Sequence, residues 1–236
     1  MFRLQLFGGA TLSGAPGVLT GRVAQRHRMA LLALLADAGP CGMSRDKLLA
    51  CLSPALCTER ARHLLSNSLY LLRRALGVDA VLGACDVLRF DTAIVGVDIV
   101  DFNAALARGD RRTAVDLYAG PFLDGFFLKG SCEFEQWAAE ARDRFAGACL
   151  AALEALAEAA AAAGDLRAAS IWWGRCASHD PYSSRIARRF MLSLAAEGDA
   201  AGAVRHARAH AQLVRQRLDM EPHPDVLALA DHLRAR

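Results

Sequence analysis

The chain has 236 residues, 54% of them hydrophobic, and a formal net charge of +3. That length suits one large domain or two ordinary ones, and the alanine-dominated apolar content favours helices over strands. No run of about 18 uncharged apolar residues occurs, and Met1 to Phe7 alternates where a signal peptide would run basic then apolar, so the expectation is no membrane span and a cytoplasmic protein.

Phe2, Leu4 and Leu6 alternate with Arg3 and Gln5, which is the period of a strand. Gly8-Gly9, then Gly14, Pro16 and Gly17, mark turns, and Val18-Leu19-Thr20 reads as a short partner strand. Gln25 to Ala38 reads as a helix, with Met29, Leu32, Ala33 and Ala36 at helical spacing and Arg22, Arg26, His27 and Arg28 near its start. Gly39-Pro40 ends it. Ser44 is placed to cap a short helix running to Leu52, with Asp46 in its first turn, and Ser53-Pro54 breaks that helix.

Thr58 to Gly77 is the stretch around which the rest is organised. Thr58 is the expected N-cap, Glu59 suits the positive helix N-terminus, and Gly77 suits a left-handed C-terminal cap. With Leu65 as origin and about 100° per residue, Ala61, Leu69, Leu72 and Leu76 fall on one face, flanked by Leu64, Ser68 and Ala75. The opposite face carries His63, Asn67, Tyr70 and Arg74, edged by Ser66 and Arg73. Arg pairs with guanine and Asn with adenine in the major groove, while Ser, Tyr and His reach phosphate. These six are therefore the candidate groove residues. Arg26, Arg28, Ser44, Arg45, Lys47 and Arg62 are candidate holders of the DNA backbone.

Val81-Leu82 and Val87 to Phe90 flank a tight connection at Gly83 to Asp86, giving a hairpin from which Arg89 could meet phosphate. The order of strands, three helices and hairpin is that of a winged helix-turn-helix, whose third helix enters the major groove. Residues 1–95 hold 11 Lys/Arg against 6 Asp/Glu, a net +5, and residues 96–236 hold 17 against 19, a net −2. A basic first part suits nucleic acid and a near-neutral second part suits protein partners. The expected domains are thus 1–95, a winged-helix DNA-binding domain, and 96–236, a helical domain.

From Ile99 onward the periodicity is helical. Ile99 to Arg108 and Arg111 to Tyr118 form a pair broken at Gly109-Asp110, and Gly120 to Phe126 is a rigid aromatic turn. Cys132 to Ala163 is one long periodic run, with Phe134, Trp137, Ala141, Phe145, Ala148, Leu153 and Leu156 as expected core. The Gly-Asp steps at Gly164-Asp165 and Gly198-Asp199 lie 34 residues apart, the tetratricopeptide period. Asp180-Pro181 and Glu221-Pro222-His223-Pro224 are read as the starts of the helices that follow. Such stacks bind proteins more often than they perform chemistry.

Seven Cys occur singly with no C-x-x-C pair, so neither a disulfide framework nor a metal site is expected, and no cofactor. His206 and His210, at i and i+4 without a third ligand, read as exposed polar residues. Of Trp172 and Trp173, one is expected in the core and one at an inter-helix edge. No phosphate loop, dinucleotide fingerprint or nucleophile elbow is present, so no enzyme is read here.

FRLQLFG (Phe2 to Gly8), SRDKLL (Ser44 to Leu49), RHLLSNSLYLLRRALG (Arg62 to Gly77), VDIVDF (Val97 to Phe102), YAGPFLDGF (Tyr118 to Phe126), FEQW (Phe134 to Trp137), DPY (Asp180 to Tyr182) and LDMEPHP (Leu218 to Pro224) together carry a resemblance. The chain resembles the actinomycete antibiotic regulatory protein family, an OmpR-type winged helix followed by a bacterial transcriptional activator domain. The resemblance implies a mainly α fold with a small β component, the second domain being tetratricopeptide-like. It also implies promoter direct repeats as the DNA bound by the third helix, as a homodimer or as copies side by side, and recruitment of RNA polymerase for activation. Two positions depart from the family pattern. The hairpin tip is Ala84-Cys85-Asp86 in place of glycine-rich sequence, and an acidic tip repels phosphate. Leu218-Asp219 stands where Leu-Gly is usual. The rival expectation is a protein-interaction adaptor whose winged helix no longer binds DNA.

Overall fold

A computed structural model describes every residue except 1, 15, 16, 22, 23, 78, 85 and 236, together with the side chain of Ala84. The expected turn at Pro16, the basic Arg22 and the hairpin-tip residue Cys85 therefore lie outside the described residues. The chain divides inside one long helix into two compact units, Met1–Phe145 and Ala146–Arg236.

The first unit opens with a four-stranded sheet in the order β3-β2-β1-β7, made of β1 (Phe2–Gln5), β2 (Thr11–Gly14), β3 (Gly17–Val18) and β7 (Val95–Val97). The antiparallel neighbour of β1 is β2, with Leu4 opposite Leu12. The Val18 segment pairs instead with β2 and leaves Val18 exposed. On its other edge β1 runs parallel to β7, Phe2 facing Val95.

Three helices follow: α1 (Arg26–Ala38), α2 (Arg45–Leu52) and α3 (Thr58–Leu76). A second sheet, in the order β4-β6-β5, joins β4 (Met43–Ser44) to the hairpin of β5 (Val81–Ala84) and β6 (Val87–Phe90). The hairpin is thereby tied to the start of α2, and the Arg45 amide donates to the Asp86 carbonyl at 2.9 Å. Gly42, at φ 67°, precedes β4, and a Cβ there would meet the Leu88 carbonyl oxygen at 2.4 Å, so only glycine fits.

Helices α4 (Asp98–Ala107) and α5 (Arg111–Leu117) complete this unit with the first half of α6 (Cys132–Ala162). The buried Asp98 carboxylate accepts from the Leu6 and Phe7 amides, each at 2.8 Å, and from Ile99 at 2.8 Å. Burial pushes its carboxyl above the usual carboxylate range, opposed by those three N–H groups and by Arg3. Phe7 meets Phe102 and Phe145 edge-on, both at 5.3 Å, and Phe122 packs on Phe145 at 5.2 Å. Arg142 then clamps the 120–126 turn, its Nε donating to the Phe122 carbonyl at 2.9 Å and Nη2 to that of Leu123 at 3.2 Å. The YAGPFLDGF and FEQW segments are thus two sides of one packed core.

The second unit holds the rest of α6 with α7 (Leu166–His179), α8 (Ser184–Glu197), α9 (Ala200–Leu218) and α10 (Pro224–Arg234). The two Gly-Asp steps lie between helices as expected, and the structure shows how each works. Gly164 and Gly198 take φ of 77° and 99°, and Asp165 and Asp199 cap α7 and α9 by accepting from the Ala168 and Gly202 amides. Met191, Ala203, Ala207, Val226 and Ala230 form the core of α8, α9 and α10. Ser183 caps α8 rather than Asp180-Pro181, because the chain makes a turn through Pro181-Tyr182 first. Trp173 is buried, and Trp172 stands at an edge with the Arg175 guanidinium 4.9 Å from its ring centroid.

His206 and His210 differ from expectation. His210 is 3% exposed, with Nδ1 3.1 Å from the Pro181 carbonyl and Nε2 3.2 Å from Ser184 Oγ. His206 packs on the Phe190 ring at 4.8 Å. Both face α8, a neighbour that i, i+4 spacing does not reveal.

By length and composition α6 could cross a membrane. Its apolar stripe is spent within the fold, Phe134, Ala138, Ala141 and Phe145 in the first unit and Cys149, Ala152, Leu153 and Ala157 in the second. Six described cysteines are free thiols.

Candidate nucleic-acid interface

Helix α3 buries Ala61, Leu65, Ser68, Leu72 and Leu76 at steps of three and four; of the expected stripe Leu69 is only half-buried, and the flanking Ser68 is buried instead. Its N-cap is Cys57 rather than Thr58: Cys57 is extended and its side chain makes no capping hydrogen bond. Thr58 is the first helical residue, so its hydroxyl is one position too late to cap. The other end is as expected, with Gly77 left-handed at φ 70° and its amide donating to the Arg73 carbonyl at 2.9 Å.

All six candidate groove residues are exposed. His63, Asn67, Tyr70 and Arg74 stand opposite the buried stripe, and Tyr70 is 59% exposed. Ser66 and Arg73 lie on one flank. Arg73 Nε is paired with Asp79 at 3.0 Å, beyond the helix end. Arg60, absent from the sequence reading, is exposed on the same face as Asn67. The angular plot that places the others also places it, at about 40° from the pole.

The candidate backbone-holding residues separate into three groups. Arg28 is corrected outright. It is 5% exposed, and its Nη2 donates to Gln25 Oε1 at 2.6 Å, so it supports the start of α1 and presents no charge to a phosphate. Arg26 Nη1 donates to the Phe127 carbonyl at 2.8 Å, with the guanidinium 5.8 Å from the Phe126 ring centroid; it too is engaged within the protein. Ser44 is the N-cap of α2, its Oγ accepting from the Lys47 amide at 3.3 Å. Arg45 is half-buried beside it. Arg62 is exposed and pairs with Asp46 at 3.7 Å. Lys47 and Arg89 are exposed, Arg89 on the outward side of β6 between buried Leu88 and Phe90. Lys47, Arg62 and Arg89 are therefore the members of the set best placed for phosphate.

A cleft of about 610 Å³ lies beside α2, lined among others by Asp37, Met43, Lys47, Glu133 and Trp137. Asp37 accepts from Trp137 Nε1 at 3.1 Å and also pairs with Arg144. Among the described residues no group of three His, Cys, Asp or Glu is placed to hold a metal ion.

Comparison with known proteins fits this architecture. An uncharacterized 47.3 kDa protein from the thcA 5′ region of Rhodococcus erythropolis is 33% identical over 150 residues, covering 63% of this chain and 31% of that protein. The solved structure of Mycobacterium tuberculosis EmbR in complex with a low affinity phosphopeptide matches 99% of this chain and 65% of its own, with a TM-score of 0.67 at 19% identity. The chain thus spans about a third of the curated relative and about two thirds of the solved one. The structural match bears out a winged helix-turn-helix followed by a tetratricopeptide-like helical region. The model of the bacterial transcriptional activator domain matches residues 85–234. With that match, and the antibiotic-regulator resemblance it bears out, the chain belongs to the bacterial transcriptional activator domain family.

Proposed function

We propose that this chain is a sequence-specific DNA-binding transcriptional activator of the cytoplasm, which binds promoter direct repeats and recruits RNA polymerase. Family membership supports transcriptional regulation rather than catalysis. The observation that carries the DNA part is the exposed face of α3, where His63, Asn67, Tyr70 and Arg74 stand opposite a buried apolar stripe. In this reading those residues, with Ser66 and Arg73 at the flank, enter the major groove. Lys47, Arg62 and Arg89 hold phosphates, assisted by the start of α2. Residues 1–95 supply DNA contact, and the helices from 96 onward supply partner contact.

A gel shift with the DNA upstream of the chain's own gene and of the neighbouring operon tests this. Asn67→Ala and Arg74→Ala should each weaken a shifted duplex by about 1–3 kcal/mol if they touch bases, with melting temperature unchanged because both are exposed. Undiminished affinity in both variants would remove α3 from the reading role. The adaptor reading is favoured by one observation: the Asp46 and Asp79 carboxylates pair with Arg62 and Arg73 beside the basic face. A chain that shifts no duplex would support it.

A further inference from the structure

The outward side of α3 is a row rather than a patch. Arg60, His63, Asn67, Tyr70 and Arg74 follow one another at steps of three, four, three and four residues, and all five are exposed. Such steps keep side chains within about 40° of one line on an α-helix. The row extends about 21 Å along the axis at 1.5 Å per residue, with an arginine at each end.

The arginines in the row differ from those beside it. Arg62 is paired with Asp46 at 3.7 Å and Arg73 with Asp79 at 3.0 Å. Among the described residues, neither Arg60 nor Arg74 makes an ion pair or a side-chain hydrogen bond. Acids from neighbouring elements thus offer the flanking guanidiniums exposed, weak pairs that a phosphate or base could displace, and leave the two in the row without one.

We propose that Arg60 is a second base-reading arginine, and that the row reads a G·C pair at each end with an A·T pair between them, Asn67 taking the adenine. This rests on α3 being the DNA-contacting helix. The guanidinium fork matches O6 and N7 of guanine, and the Asn carboxamide matches N6 and N7 of adenine. Lysine does not reproduce that fork. At 3.4 Å per base pair the row covers about six base pairs. A phosphate contact by Arg60 would act on all sequences alike, which makes the two roles separable.

The test is selection of a randomised duplex library by the full chain and by its Arg60→Ala, Arg60→Lys and Arg74→Ala variants. The unaltered chain should enrich two guanines on either side of an adenine. Arg60→Ala and Arg60→Lys should each erase the preference at one guanine only, and Arg74→Ala the preference at the other. On the enriched duplex Arg60→Ala should weaken binding about tenfold or more, and replacing its guanine should then cost that variant nothing further. Circular dichroism should show all variants folded. Equal weakening on every sequence with unchanged preferences would make Arg60 a phosphate contact and overturn the proposal, as would an unchanged profile. If the unaltered chain enriches no sequence, the DNA-reading role of α3 fails, and this inference with it.

Discussion

Within each of the two units a different kind of tie stands out, although the first also uses one Gly-Asp step, at Gly109-Asp110. In the first, the decisive bonds are far apart in sequence: Asp98 accepts from Leu6 and Phe7, β7 pairs with β1, and Arg142 holds the carbonyls of Phe122 and Leu123. In the second, the devices are local and repeated. Each Gly-Asp step turns the chain with a left-handed glycine and caps the next helix with an aspartate. A repeated local device can lose one member at modest cost, whereas a single long-range tie cannot.

The largest effect should come from cutting the first unit short. Ending the chain at residue 95 removes the parallel partner of β1, the Asp98 carboxylate and the Phe102 and Phe145 rings. Residues 1–145 should melt cooperatively and residues 1–95 should not, by circular dichroism. Equal cooperativity would mean that the long-range ties are dispensable. Within the full chain, Asp98→Ala leaves the Leu6 and Phe7 amides buried without an acceptor, at roughly 1–3 kcal/mol for each orphaned group. Hydrogen exchange should show lost protection in the first unit with the second unchanged; a loss spread over both would erase the contrast.

Smaller effects are expected of the repeated device. Asp165→Ala and Asp199→Ala should each cost about 1 kcal/mol, the usual worth of an N-cap, measured by urea unfolding. The cost should not exceed that of Asp98→Ala. Asp219 goes the other way. It occupies the left-handed region at φ 52°, ψ 40° after α9, where the family's Leu-Gly is more comfortable. Asp219→Gly should be neutral or gain up to about 1 kcal/mol. A clear loss would show that the Asp219 side chain has a role of its own.

The smallest effect is the pH response of the second unit. Burial, and then the neighbouring His210, hold the His206 imidazole below its ordinary value of 6.5. Below that value the unfolded chain takes up the proton and the folded one resists it, so stability should fall as pH drops through about 6.5. His206→Leu should flatten that slope between pH 7 and 5.5; an unaltered slope would assign it elsewhere.

This contrast also decides what was legible. The repeat in the second unit is local, so its period and capping aspartates can be read from Gly164-Asp165 and Gly198-Asp199 alone. The buried stripe of α3 and its Gly77 cap are local too. What escaped were relations between distant residues. Nothing near Val95 announces a parallel pairing with Phe2, and nothing near Arg28 shows that the start of α1 is buried. Thr11 to Gly14 lies among turn-forming glycines, which hides a strand only four residues long. His206 and His210 looked exposed because the helix packed over them could not be seen from α9 itself. The exposed polar face of α3 was readable by angle, and the acids beside its flank, Asp46 and Asp79, were not.

The central claim is that the first unit grips promoter DNA through α3. Fluorescence anisotropy of the full chain on one-repeat and two-repeat duplexes, over rising salt, tests it most directly. The account predicts that log affinity falls linearly with log salt, as lysine and arginine release counterions. It also predicts tighter binding to two repeats than to one, as neighbouring copies raise each other's effective concentration. Binding to neither duplex at any salt, by a chain that circular dichroism shows to be folded, would contradict it.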